Sequence, residues 1–188
     1  MQQREKGFSL TEFLLVMTIS IILASQLNLG SFATASKENK ADELMTGIVT
    51  AISMARQAAV NESRMVTFCR SDDGKHCQGK WHEGSIIFTD RNADHVLNED
   101  DRLLYRLPAT TLTGSLRFSS FGNKQYLQLT PFGLTNYQNG NFTWCPENKD
   151  PTFARQVIVS MTGRTRYARD EDGDGIIENS QGKAVECK

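Results

Sequence analysis

Residues 6–25 read KGFSLTEFLLVMTISIILAS, and the 24 positions from 13 to 36 contain no charged residue. As a helix, those positions would extend about 36 Å at roughly 1.5 Å per residue, which is enough to cross a bilayer core of about 30 Å. Arg4 and Lys6 precede the stretch, so the positive-inside rule predicts a cytoplasmic N-terminus. The sequence therefore predicts a single-pass helix with the rest of the chain on the outer side of the membrane.

Glu12 separates the possible interpretations of this stretch. A secretory signal peptide would end at small residues such as Ala33-Thr34-Ala35, and a plain membrane anchor would need no cleavage. Neither interpretation gives a partner to a carboxylate at the edge of the apolar run. Such a charge costs on the order of 2.5–3.5 kcal/mol inside a membrane, so it usually has a partner.

The residues Lys6-Gly7-Phe8-Ser9-Leu10-Thr11-Glu12 resemble the prepilin peptidase site of type IV pilins and type II secretion pseudopilins. The resemblance implies that prepilin peptidase cleaves after Gly7 and leaves Phe8 as the new N-terminal residue. It also implies that Glu12, fifth in the mature chain, pairs with the N-terminal amine of a neighbouring subunit during assembly. That amine would be the partner that the other interpretations lack.

The pattern beyond the apolar stretch predicts one helix followed by strands. Apolar residues first recur at helical spacing, at Leu44, Ile48, Ile52, Ala55 and Ala59. This spacing predicts that one long N-terminal helix continues to near Asn61 and packs its outer half on a sheet. Eight runs of strand-forming residues then alternate with turn residues, at 65–69, 84–89, 103–107, 116–119, 125–130, 141–145, 156–162 and 165–168.

These elements define an α+β, type IV pilin-like fold. We expect a long N-terminal α-helix, with a membrane-spanning half and an amphipathic half, packed on a mainly antiparallel β-sheet head. The expected divisions are a prepilin leader at 1–7, a transmembrane and assembly helix at 8–36, and a periplasmic head at 37–188 that includes the outer half of the helix.

Four cysteines follow the membrane segment: Cys69, Cys77, Cys145 and Cys187. An exported head lies in an oxidising compartment, so we expect disulfides, for which four cysteines allow three pairings. Cys69–Cys77 would close a short polar loop and Cys145–Cys187 would fix the C-terminal tail, so we favour these pairs. A zinc site of His76, Cys77 and His82 is the alternative, but its spacing lacks a Cys-x-x-Cys pair.

Composition and motifs argue against an enzyme. With 188 residues, 39% apolar residues and a net charge of −1, the chain fits one domain with an appendage. It has no nucleophile motif and no glycine-rich phosphate loop, so we expect neither catalysis nor a cofactor. Residues 170–175 match the start of an EF-hand loop, but Gln181 stands at position twelve, and residues 90–101 carry His95 where the glycine belongs. We favour solvated turns over calcium sites and expect no metal.

The charges of the head are unevenly distributed. Residues 114–169 contain seven basic and two acidic residues, whereas the tail from Asp170 onward carries a net charge of −4. Within the basic region, Arg164 and Arg166 would project from the same side of an extended strand, about 6.6 Å apart. Two guanidiniums at that spacing suit adjacent phosphates of a nucleic acid. The acidic tail would cover them unless it folds away, which Cys145–Cys187 would ensure.

Nearly the whole chain resembles the FimT/GspH family, most strongly at residues 7–60 and 84–106. In particular it resembles the FimT-type members, which are minor pilins of natural transformation. In those members a Gly-Arg-x-Arg motif is associated with DNA binding, which implies this role for Gly163, Arg164 and Arg166. Charge alone extends the expected surface to four further residues: Lys124, Lys149, Arg155 and Arg169.

Two functions follow from these observations. The first is a minor type IV pilin that binds double-stranded DNA without sequence preference and promotes its uptake. The alternative is a structural minor pilin or type II secretion pseudopilin that primes or caps assembly without binding DNA. The expected partners are double-stranded DNA, other pilins, prepilin peptidase and, before assembly, the inner membrane. The expected location is that membrane, with the head in the periplasm, followed by incorporation into the pilus.

Overall fold

The structure is a computed structural model that describes residue 7, residues 9–25 and residues 29–187. The chain divides into two units, Met1–Lys37 and Glu38–Lys188. Phe8 and most of the expected leader lie outside the described residues, as do residues 26–28 within the expected transmembrane helix. The cleavage position and the boundaries of segment 8–36 therefore stay predictions.

The first helix, α1 (Leu10–Ser25), begins with a capping box. The Glu12 backbone N–H donates to Ser9 Oγ over 3.3 Å, and the Ser9 backbone N–H donates to the Glu12 carboxylate over 3.0 Å. The carboxylate also lies where the positive end of the helix dipole favours a negative charge. The large apolar side chains of α1 are exposed. Within the described residues, no helix combines the length and apolarity needed to cross a bilayer.

The second helix, α2 (Leu29–Glu62), supplies one wall of the core of the head. Six of its buried residues follow steps of three and four, at Ala41, Met45, Ile48, Ile52, Ala55 and Ala59, and Ala51 is buried next to Ile52. The predicted stripe is confirmed except at its start, where Met45 is buried and Leu44 is only half-buried. The helix ends one residue beyond the predicted Asn61. The N-terminal helix predicted as one element is described as α1 and α2.

Eight strands follow α2, one at each predicted run. They are β1 (Val66–Arg70), β2 (Ser85–Thr89), β3 (Leu103–Leu107), β4 (Gly114–Ser120), β5 (Tyr126–Leu129), β6 (Gly140–Pro146), β7 (Arg155–Val159) and β8 (Thr165–Tyr167). The largest difference is at β7, which ends at Val159 and not at Thr162. A turn begins there, in which the Gly163 N–H donates to the Ser160 carbonyl over 3.0 Å.

The strands form two four-stranded sheets. Sheet 1 has the order β3-β2-β1-β5 and sheet 2 has the order β4-β6-β7-β8, and every strand pairing is antiparallel. The buried face of α2 packs on side chains from both sheets, including Phe68 and Leu127 of sheet 1 and Phe142 and Val157 of sheet 2. The α+β fold is confirmed, with two sheets in place of one.

Four aromatic rings pack where the sheets meet: Phe68, Trp81, Phe118 and Phe142. The Phe142 ring stacks on Phe118 with centroids 4.3 Å apart and meets Trp81 edge-on at 4.9 Å. Such pairs contribute about 0.5–1.5 kcal/mol beyond the burial of their area. Phe142 is fully buried and contacts rings from both sheets, so it joins them directly.

Both favoured disulfides form, Cys69–Cys77 and Cys145–Cys187. Because Cys77 is oxidised, it cannot supply the thiolate that the zinc alternative required. His76 instead contacts the Asp73 carboxylate through Nδ1 at 2.5 Å, and this hydrogen bond is the main reason why the pKa of Asp73 lies below its usual range. Cys145 and Cys187 pack with Ala154 and Val185, which fixes the tail to sheet 2.

Replacing Phe142 with Ala tests the junction of the two sheets. We expect Phe142→Ala to lower the free energy of unfolding by about 3–5 kcal/mol, since it leaves a cavity among buried rings. The matched control is Phe132→Ala, whose side chain is 84% exposed and should change stability by no more than about 0.5 kcal/mol. Urea unfolding of the full chain in detergent micelles, followed by tryptophan fluorescence, measures both. Equal effects of the two substitutions would contradict the assignment of the core.

Candidate nucleic-acid interface

The Gly-Arg-Thr-Arg motif leads into β8, the edge strand of sheet 2. Arg166 pairs in register with Ile158 of β7, and Arg164 continues the ladder by accepting the Ser160 N–H over 2.9 Å. The Tyr167 hydroxyl lies 3.2 Å from Thr46 Oγ1 of α2, so odd-numbered residues of β8 face the helix. Because side chains alternate along a strand, Arg164 and Arg166 both lie on the outer face of sheet 2.

Both arginines are available to a ligand. Their side chains are exposed, and within the described part of the chain neither guanidinium forms an ion pair. Residues two apart on a strand are separated by about 6.6 Å. The two form a pair of cations on one open edge, and we call Arg164 and Arg166 the arginine pair.

Gly163 allows the turn before the arginine pair to pack closely on a neighbouring turn. Its φ is +69°, and a Cβ at this position would lie 2.4 Å from the Gly133 carbonyl oxygen. Arg56 of α2 donates from Nε to that same oxygen over 2.9 Å. The helix, the Gly133 turn and the Gly163 turn are thus held together at one point. The role of Arg56 was not predicted, because its partner is 77 residues away in sequence.

Arg155 lies on the other side of the sheet from the arginine pair. Its neighbours at alternate positions of β7, Val157 and Val159, belong to the core that packs on α2. Its Nε donates to the Asp42 carboxylate of α2 over 2.7 Å, and only 24% of its side chain is exposed. This predicted DNA contact is therefore occupied in fastening β7 to the helix.

Lys149 and Arg169 lie at the far end of sheet 2. Lys149 follows β6, and its backbone N–H donates to the Pro146 carbonyl over 3.0 Å. The arginine pair is near the opposite end of β6, where Gly140 pairs with Val159. Seven strand residues separate these ends by about 20 Å. Arg169 leaves β8 toward the same far end and leads into the acidic tail.

Lys124, in contrast, lies at the same end of the head as the arginine pair. It follows β4, whose last residue, Ser120, pairs with Gly140. The Ser120 hydroxyl donates to the Lys124 carbonyl over 2.8 Å, which fixes this segment. Three strand spacings, about 14 Å, separate β4 from β8. The structure thus leaves three predicted cations at one end of the head.

The acidic tail is fixed away from this end. Cys187 bonds to Cys145, next to Pro146, at the far end of β6. Four tail residues could bring carboxylate oxygens within 4.8 Å of one another: Asp170, Asp172, Asp174 and Glu178. Backbone N–H groups of Gly173 and Gly175 lower the pKa of Asp170. The loop is ordered by its own hydrogen bonds, as a solvated turn would be, and its calcium alternative stays a prediction.

The other acidic loop is a structural element. Asp90 is fully buried, and both of its oxygens accept hydrogen bonds from the protein. Thr67 and Gln128 donate from their side chains at 2.7 and 3.0 Å, while Asp94 and His95 donate from the backbone, each at 3.1 Å. Asp90 anchors the loop to sheet 1, and its oxygens are already occupied.

The helix, the two antiparallel sheets and the edge motif define a type IV pilin-like head. Residues 45–163 match the family described as type II transport protein GspH, and the chain belongs to that family. The family resemblance seen in the sequence is thereby confirmed.

Solved structures agree with this assignment. Two crystal forms of the type IV minor pilin FimU of Pseudomonas aeruginosa are similar to the chain, with TM-scores of 0.56 and 0.51 and identities of 18% and 20%. Each alignment covers 80% of this chain and 96% or 98% of the FimU chain. At these identities the likeness concerns the fold. No curated protein gives a significant match.

Substituting Gly163 tests the close approach of the two turns. Gly163→Ala introduces a Cβ at a left-handed position and against the Gly133 carbonyl, so both strain and overlap should lower stability. The control is Gly182→Ala, because Gly182 has φ +70° but no atom within 4 Å of its Cβ position. We expect Gly163→Ala to cost about 1–3 kcal/mol more than the control in urea unfolding. Equal losses would show that no close approach exists.

Proposed function

We propose that this protein is a minor type IV pilin whose head binds double-stranded DNA at the arginine pair and promotes DNA uptake. The observation that carries the proposal is the placement of Arg164 and Arg166, exposed on one side of an edge strand and without an acidic partner among the described residues. Membership of the GspH family supports the pilin part of the proposal. The proposed role is binding and involves no catalysis or cofactor.

Binding of this kind would be insensitive to base sequence. A guanidinium donates two parallel hydrogen bonds to a phosphate, and phosphates carry no base identity. The surface is smaller than the seven residues predicted, since Arg155 bonds Asp42 and Lys149 and Arg169 lie at the far end of sheet 2. Affinity per head would be modest, and several heads along one filament would strengthen it.

The N-terminal expectations complete the proposal. Cleavage after Gly7 by prepilin peptidase would expose Phe8, and segment 8–36 would anchor the protein in the inner membrane before it joins a pilus. Glu12 would then pair with the terminal amine of a neighbouring pilin. In the described residues Glu12 accepts the Ser9 N–H at the start of α1. Ser9 would be the second residue of the chain that cleavage would create.

An assembly role without DNA binding is the second candidate. The exposed apolar side chains of α1 support assembly under both candidates, because such a surface needs lipid or other helices around it. A structural minor pilin or pseudopilin would use this helix, and its arginine pair would not bind DNA. The two candidates therefore differ in what the arginine pair does.

The double variant Arg164→Gln/Arg166→Gln tests DNA binding. Anisotropy titrations of a labelled duplex with the full chain in detergent micelles, at several salt concentrations, give the salt slope. Each phosphate contact contributes about 0.9 to the slope of log affinity against log salt concentration, so two contacts contribute about 1.8. The double variant should lose about 1.8 of this slope and bind the duplex more weakly. Lys149→Gln, which removes one cation at the far end of sheet 2, is the control and should change little. An unchanged slope in the double variant would refute the assignment.

The same variant separates the two candidates in cells. DNA uptake predicts normal numbers of pili and lost transformation, because only the ligand contact is removed. Loss of pili would instead support the assembly role.

A further inference from the structure

A groove of about 340 Å³ lies at the end of the head that carries Lys124. It is bordered by Phe121, Tyr126, Tyr137 and His95. His95 already stacks on Tyr126, with ring centroids 3.8 Å apart and 28° between the planes. The groove therefore has an aromatic wall at Tyr126 and two further rings, Phe121 and Tyr137, at its border.

Phe121 and Tyr137 are largely exposed to solvent. Phe121 is 73% exposed and Tyr137 is 70% exposed, and among the described residues neither packs against another ring. Tyr137 also adopts φ +64°, which is rare for a bulky residue. Backbone conformations of this kind cluster at binding and catalytic sites. Neither ring is needed for the core of the head.

The segment that carries Tyr137 is held rigidly. The Asn136 amide donates to Gln128 Oε1 over 2.8 Å, and the Gln128 N–H donates to Gln138 Oε1 over 3.2 Å. Gln128 is itself fixed by the buried Asp90 carboxylate. Because these hydrogen bonds join residues of the protein itself, the groove would need little ordering on binding.

The charge beside the rings is positive. Lys124 lines the groove and has no ion-pair partner within the described residues. The neighbouring acid, Asp94, is not part of the lining, and its carboxylate accepts hydrogen bonds from Asn92, Asn98 and the Val96 N–H. Exposed rings next to a cation are complementary to a ligand with flat rings and a negative charge.

We propose that this groove binds unpaired nucleobases of single-stranded DNA, which stack on Phe121 and Tyr137 while Lys124 contacts the adjoining phosphate. Every base offers a π-face, so such stacking does not depend on sequence. A duplex hides its base faces and would not use the groove. The inference rests on the proposed function, since it extends DNA binding to a second site.

The groove and the arginine pair are connected through the backbone. Thr135, two residues before Tyr137, donates its N–H over 2.9 Å to the carbonyl of Met161, which lies in the turn before Arg164. Lys124, at the border of the groove, follows β4, which lies three strand spacings, or about 14 Å, from β8. One DNA molecule with a duplex part and a single-stranded end could occupy both.

The test uses the full chain in detergent micelles and labelled oligothymidine, a duplex of the same length and an abasic strand of the same length. The variant Phe121→Ala/Tyr137→Asn removes both rings, and Asn suits the positive φ of position 137. Since two stacked bases are lost, we expect it to bind oligothymidine at least about 30-fold more weakly and the duplex unchanged. Phe132→Ala removes an exposed ring outside the groove, and this control should bind both DNA forms as the parent does.

The abasic strand gives a second measurement that needs no variant. It keeps the phosphates and lacks the bases, so the parent protein should bind it as weakly as the variant binds oligothymidine. Equal affinity of the parent for the abasic strand and for oligothymidine would overturn the inference. An unchanged affinity of the ring variant for oligothymidine would also overturn it, as would equal losses of affinity for oligothymidine and for the duplex. The variant Arg164→Gln/Arg166→Gln tests the proposed function separately, since an unchanged affinity of this variant for the duplex would refute that function. The ring variant alone tests the groove.

Discussion

The apolar face of α2 is the element on which the rest of the head depends. Neither four-stranded sheet could bury its inner face alone, and both use the same helical stripe for this purpose. The Phe142 ring joins the sheets beside that stripe, and Arg155 ties β7 to the helix through Asp42. Arg56 performs a similar task for the Gly133 and Gly163 turns. Two of the head's basic residues thus stabilise the fold through α2, and one of them, Arg155, is occupied by an ion pair with Asp42.

The parts of the fold that could be predicted are those with a local signal. The helical stripe and the eight strands follow from periodicity and turn residues, and each lies close to its expected position. The division into two sheets has no such signal, because it depends on whether β5 pairs with β1 or with its neighbour β4. The buried stripe includes Met45 in place of the predicted Leu44, because repeated steps of four residues drift around a helix of 3.6 residues per turn.

The candidate site shows the same limit. A count of charge along the chain groups the seven basic residues of positions 114–169 together. Side chains alternate between the two faces of a strand, however, and Arg155 and Arg166 lie on opposite faces of sheet 2. The length of β6 then separates Lys149 from the arginine pair. The sequence does predict Arg164 and Arg166, because they lie two residues apart within one short motif and this pattern is local. The aromatic groove was missed because its rings come from three separate segments, and isolated aromatic residues give no pattern in a sequence.

The Cys145–Cys187 disulfide has a mechanical consequence. It closes a covalent ring of the chain across a sequence separation of 42 residues, and the arginine pair lies inside that ring. An edge strand near a chain terminus is ordinarily the first element to peel away under load. Here a pulling force applied at Arg164 reaches β6 through covalent bonds in both directions along the chain. A ligand drawn by a moving filament would therefore pull on the interior of sheet 2 as well as on its last strand.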